Sequence, residues 1–226
     1  PVRQMRLQKF DGKGWTVFES AKGTESFDVE ILGVMHGYLG PGEDLIIAKL
    51  SGKQIERTGV IAGMSGSPVY IDGKLVGAVG YRFGSFTKDP IAGITPIERM
   101  LTAATPTAKR SPPSAQIARG AQSAHPGKWG EGTPIATPIA VSGVSPSVLA
   151  AFGPELDKRG YGPVFASGGA SGSSSLSDDE GDKKGVRFYA GGPIAGNLIE
   201  GDIKMGAIGT VTWVKGDRFL AFGHPF

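Results

Sequence analysis

The chain has 226 residues with 24 Lys and Arg, 21 Asp and Glu, three His and no Cys. That length suffices for one large all-β domain or two small barrels around a real hydrophobic core. A net charge of +3 without a long basic run argues against a nucleic-acid partner, and the lack of cysteine excludes disulfides, thiol catalysis and cysteine metal sites.

In chain order, Trp15–Phe18 is a short strand candidate. Ser26–Ile31 alternates apolar and polar residues, as a half-buried strand does. Gly40-Pro41-Gly42 is a turn, and Asp44–Leu50 is a buried strand closed by Ser51-Gly52. A small-residue turn, Gly63-Met64-Ser65-Gly66-Ser67-Pro68, leads into Val69–Ile71. Asp72-Gly73 is a two-residue hairpin signal, and Lys74–Val79 is the returning strand. Ile94–Leu101 reads as a short helix, with Thr95 as cap, Pro96 at the first helical position and Glu98 three residues after the cap. Strand-like Ile135–Val141 follows, then a short helix over Ser145–Phe152 capped by Ser145. Thr210–Val214, the turn Lys215-Gly216-Asp217 and Arg218–Phe222 form a second hairpin.

These elements divide the chain into a β-barrel unit over 1–105, a linker or mobile loop over 106–133, and a second β unit over 134–226. Within the last, 167–185 reads as a flexible loop. No apolar run approaches the ~18 residues of a membrane-spanning helix. Pro1 is not a native start, and Gly223-His224-Pro225-Phe226 closes no strand, so the sequence reads as a piece of a longer protein. The lack of cysteine suits an oxidising exterior, and the expected location is extracytoplasmic: periplasmic, envelope-associated or secreted.

The Gly63–Pro68 turn is the segment richest in chemistry. It presents one hydroxyl, Ser65, between glycines, and the N–H groups of Gly63 and Ser65 are placed to face one developing oxyanion. The residues alone leave two readings open, a nucleophile or a tight chain reversal. A serine nucleophile needs an imidazole to take its proton. The histidines are His36, after a strand; His125, in the linker; and His224, in a Gly-His-Pro turn.

Gly63–Pro68 with Ile71–Val79 resembles the nucleophile segment of the sporulation stage IV protein B (SpoIVB) serine peptidase family. It is more remotely similar to the turn of chymotrypsin-like proteases. Phe27–Val34, Ala207–Thr212 and Phe219–His224 resemble other stretches of the family, so the resemblance covers roughly 10–105 and 188–226. It implies an all-β, chymotrypsin-like β-barrel architecture with a few short helices. It implies a bacterial serine endopeptidase that cleaves protein substrates through an acyl-enzyme, with Ser65 as nucleophile and His224 as base. In the family the histidine segment comes first; here the order is reversed, as in a permuted arrangement, or the two residues belong to different copies of the unit.

The family's acid position aligns with Gly52. Asp44, opening a strand, is similar to the aspartate of chymotrypsin-like enzymes, and it reads equally as a turn-closing residue; Glu43 and Asp28 are poorer alternatives. Ser67 stands where chymotrypsin-like turns have glycine and is expected to hydrogen-bond the turn. No cofactor is expected. The acids Asp178, Asp179, Glu180 and Asp182 lie beside lysines and read as a solvated cluster rather than a metal site. Gly168–Gly172 lacks the strand-to-helix setting of a phosphate loop. The alternative function is an inactive peptidase-like barrel that binds peptides or scaffolds an envelope protein.

Overall fold

A computed structural model describes residues 10–19, 22–41, 43–84, 89–104, 131–166 and 187–225, with the backbone alone for 163–166. Most of the expected linker, the expected loop 167–185, His125, the acidic cluster and Gly168–Gly172 lie outside the described residues.

The first unit is a closed barrel. Its strands are β1 (Asp11–Thr16), β2 (Glu25–Gly40), β3 (Glu43–Ser51), β4 (Pro68–Ile71), β5 (Lys74–Phe83) and β6 (Ile91–Pro96). All neighbours are antiparallel in the order β4-β1-β2-β3-β6-β5, and β4 pairs with β5 to close the ring. Closure pairs the two end strands along Pro68–Ile71 and Lys74–Ala78. The tight β4–β5 connection is the expected Asp72-Gly73 turn, with both residues at positive φ, 48° and 73°.

Strand periodicity explains the packing. Alternate residues of β3 face opposite sides. Ala48 and Leu50 join Phe27, Val29, Val69, Val79 and Ile94 in one cluster. Leu45 and Ile47 join Tyr38, Tyr81 and Phe83 in another. Full burial of each large side chain contributes about 1.5–3 kcal/mol. The short helix α1 (Lys53–Thr58) contributes Ile55 to the first cluster.

The second unit is a smaller sheet in the order β10-β11-β8-β9, with β12 on β11. Its strands are β8 (Thr137–Ser142), β9 (Tyr161–Ala166), β10 (Pro193–Ile199), β11 (Lys204–Lys215) and β12 (Arg218–Ala221). The all-β expectation is met, as is the expected barrel with few helices. Strand β7 (Gly132–Pro134) pairs with β5, so the barrel's sheet extends past the expected linker's last residues.

Two boundaries differ from the sequence reading. The helix expected from Thr95 begins later, as α2 (Ile97–Ala104). Thr95 and Pro96 end β6 instead, because Ile91–Pro96 gains ladder partners on both flanks, and Thr95 spends its hydroxyl on a distant carbonyl. The helix capped by Ser145 is found, with the Val148 N–H donated to Ser145 Oγ, but α3 runs over Pro146–Lys158 and passes through Pro154.

Candidate active site

The turn between α1 and β4 is fixed from both sides. Gly63 and Gly66 hold φ of 91° and 99°, which a residue with a Cβ adopts only under strain. Met64 is buried in the barrel core and anchors the loop. Ser67 donates its hydroxyl to the Met64 carbonyl at 2.7 Å, as a turn-bonding serine should. Gly66 N–H donates to Val79 O and Val79 N–H to Ser67 O, which pin the turn to β5. The result holds Ser65 rigidly, 1% exposed.

The second unit delivers the other half. Strand β11 presents Thr210 and Thr212 to the turn at a spacing of two, hence on one face. Thr210 Oγ1 donates to Gly63 O, Thr212 Oγ1 donates to Gly66 O, and Thr210 N–H donates to Ser65 O. After β12 the chain turns at Phe222, which has a φ of 60°. That turn lays Gly223 against the barrel, with its N–H donated to Ser65 Oγ at 2.9 Å. Thr95 Oγ1 holds the Gly223 carbonyl from β6. The fit is close: a Cβ on Gly80 would fall 2.3 Å from Gly223 O.

His224 therefore follows directly on the residue bonded to Ser65. Its Nδ1 lies 2.8 Å from the Pro225 carbonyl, which only accepts, so Nδ1 carries the proton and Nε2 is the bare acceptor of the neutral ring. Nε2 is buried without a hydrogen-bond partner. Burial pushes the His224 pKa down; the carbonyls of Pro225 and Ile135 oppose it, the latter without reaching hydrogen-bond geometry. The Ser65 O–H finds no acceptor among the described residues, and the same holds for the Gly63 and Ser65 N–H groups as donors. Residues 7–101 match the family model for SpoIVB peptidase S55. Neither a curated protein nor a solved structure matches the chain.

The SpoIVB peptidase match takes in the whole barrel and the Ser65 turn; the histidine segment lies outside it. The barrel is therefore similar to the peptidases of that family. Of the sequence-derived site residues, Gly63 and Ser65 are bonded to the second unit through Thr210 and Gly223; His224 is the next residue along, and no hydrogen bond joins its ring to Ser65. Asp44 stands apart from His224's bonding: its oxygens accept from Gly37 N at 2.9 Å and meet His36 Nδ1 at 2.8 Å. Those contacts draw its pKa below the usual carboxylate value. His36 is thus a partner of Asp44 on the β2–β3 hairpin, with 82% of its side chain exposed.

Sequence reasoning missed the three threonines. Thr210 and Thr212 left a usable signal, two hydroxyls on one face of an otherwise apolar strand that is buried. Thr95 left none, since its local pattern is that of a helix cap. Among the described residues no group of three or more His, Asp or Glu is arranged for a metal, and no helix is long and apolar enough to cross a membrane.

Proposed function

We propose that the protein is a serine endopeptidase using a Ser65–His224 dyad. The observation that carries this reading is a pair of complementary orphans on neighbouring segments. Ser65 O–H lacks an acceptor, and His224 Nε2 is an acceptor without a donor. Ser65 Oγ attacks a peptide carbonyl while Nε2 takes its proton. The N–H groups of Gly63 and Ser65 stabilise the oxyanion, a contribution of about 3–4 kcal/mol per donor in well-studied serine peptidases. The protonated ring then gives its proton to the leaving amine, and water hydrolyses the acyl-enzyme by the reverse sequence. The Pro225 carbonyl does the orienting work that a triad assigns to a carboxylate, and Asp44 serves the β2–β3 turn. The permuted order is consistent with this, because triads are assembled in space. Substrate access requires Phe222–Pro225 to shift, since Ser65 is enclosed. The cysteine-free composition supports an extracytoplasmic setting.

The test is labelling by a small serine-directed phosphonate, with hydrolysis of unfolded protein in parallel. Ser65→Ala should abolish both. His224→Gln should reduce hydrolysis to the residual rate of binding and oxyanion stabilisation. One observation favours a second reading, the inactive peptide-binding barrel: Ser65 Oγ already accepts the Gly223 N–H in a buried setting. Absence of labelling and of cleavage in the unmodified protein would select that reading.

A further inference from the structure

Beside the turn lies a cavity of about 650 Å³, between helix α3 and the barrel. It falls within the range of ligand pockets. Its walls are apolar: Ala62, Ile135, Leu149 and Ala150 line it, with one cation, Arg82, and one anion, Asp157, at exposed positions. Neither charge has an ion-pair partner among the described residues. Two of its lining residues adjoin the two halves of the site. Ala62 precedes Gly63 in the chain, and Ile135 lies beside the His224 ring through its carbonyl. A side chain at Gly63 would meet Pro138 of β8, the strand that follows the wall residues Ile135 and Ala136.

We infer that this cavity is the substrate subsite of the proposed peptidase and takes the aliphatic side chains of a neutral peptide segment flanking the scissile bond. The inference rests on the serine peptidase reading. A ligand of high charge of either sign would meet one matching and one opposing group, whereas a neutral segment finds apolar walls for its side chains. Arg82 can donate to a backbone carbonyl and Asp157 can accept a backbone N–H, which fixes the orientation of an extended peptide. Specificity is then set by Leu149 and Ala150, on the face of α3 turned to the cavity.

Ala150→Trp fills the cavity from an exposed helix position. The measurements are kcat/KM on peptides with Leu or Val beside the cleaved bond, and the rate of labelling by a small phosphonate. The expected result is a loss of peptide cleavage at least tenfold greater than any loss of labelling. Equal small changes in both would overturn the subsite. If both collapse together, Leu149→Ala decides: the wider cavity should shift preference from Leu towards Phe, and an unchanged preference overturns the proposal. An unmodified protein that labels and cleaves without aliphatic preference also overturns it, leaving the dyad standing. An unmodified protein that does neither removes the peptidase reading and the subsite with it.

Discussion

Gly80→Ala is the sharpest probe of how the two units are joined. The new Cβ would lie 2.3 Å from Gly223 O and 2.7 Å from Gly223 C. Both are backbone atoms, so no rotamer change relieves the overlap. Gly223 must retreat by about 1.1 Å to reach an ordinary contact of 3.4 Å. Retreat strains two buried hydrogen bonds, Gly223 N–H to Ser65 Oγ at 2.9 Å and Thr95 Oγ1 to Gly223 O. Each is worth about 1 kcal/mol net, and each buried group left unpaired costs about 1–3 kcal/mol. A destabilisation of roughly 3–5 kcal/mol follows, or a fall in Tm on the order of 10 °C at this size. Gly196→Ala is the control, because its Cβ would meet nothing within 4 Å. Thermal and urea unfolding followed by circular dichroism read the difference. If Gly80→Ala melts within a degree or two of Gly196→Ala, the close backbone approach at Gly223 is not a feature of the folded protein.

Thr95→Val keeps the shape and leaves the Gly223 carbonyl unpaired; we expect about 1–3 kcal/mol lost in urea unfolding and a fall in peptidase rate, with stability alone affected if Gly223 does not position the site. Ser67→Ala should cost a similar amount through the Met64 carbonyl, with hydrolysis falling far less than for Ser65→Ala in the same assay. Asp44→Asn should leave kcat/KM within about threefold, since neither ring nitrogen of His224 is bonded to it; a loss of the ~10⁴-fold order would install it as a triad acid. The depressed pKa of His224 fixes a pH dependence. The unfolded chain protonates first, near 6.5, so this contribution to stability is complete above that value and is lost as pH falls towards the lower folded pKa. Urea midpoints measured from pH 7.5 down to 5 should fall, and His224→Gln should flatten that slope; an unchanged slope would show that the ring is not buried neutral.

What could be read from the sequence was what local chemistry determines. The Asp72-Gly73 hairpin, the Ser145 cap, the alternation of Ser26–Ile31 and the glycine-framed Ser65 turn each carry their cause within a few residues. Misreadings arose where a distant partner outweighed a local pattern. Thr95-Pro96 has the composition of a helix start, yet its flanking strands and a carbonyl 128 residues away claim it. The helix read over Ser145–Phe152 ends before Gly153-Pro154, yet α3 continues through them. The candidate site was half legible: Ser65 and His224 stand out by their turns, whereas the threonines that hold the Ser65 turn and Gly223 become visible only when the second sheet is laid against the barrel. Asp44 reads equally as a triad acid and as a turn-closing residue from the sequence; its partners in the structure, His36 and Gly37, belong to the β2–β3 hairpin.

The contact between Gly223 and Ser65 spans 158 residues, and this has a bearing on the order in which the molecule is made. A ribosome completes the closed barrel, Ser65 included, well before it reaches His224. On the proposed dyad, a nascent chain at that stage holds the serine without its base. Whatever reaction the assembled pair performs is therefore withheld until synthesis has passed the last strand and the second sheet has docked. A protein that could cut polypeptides would be harmless to its own unfinished copies during translation.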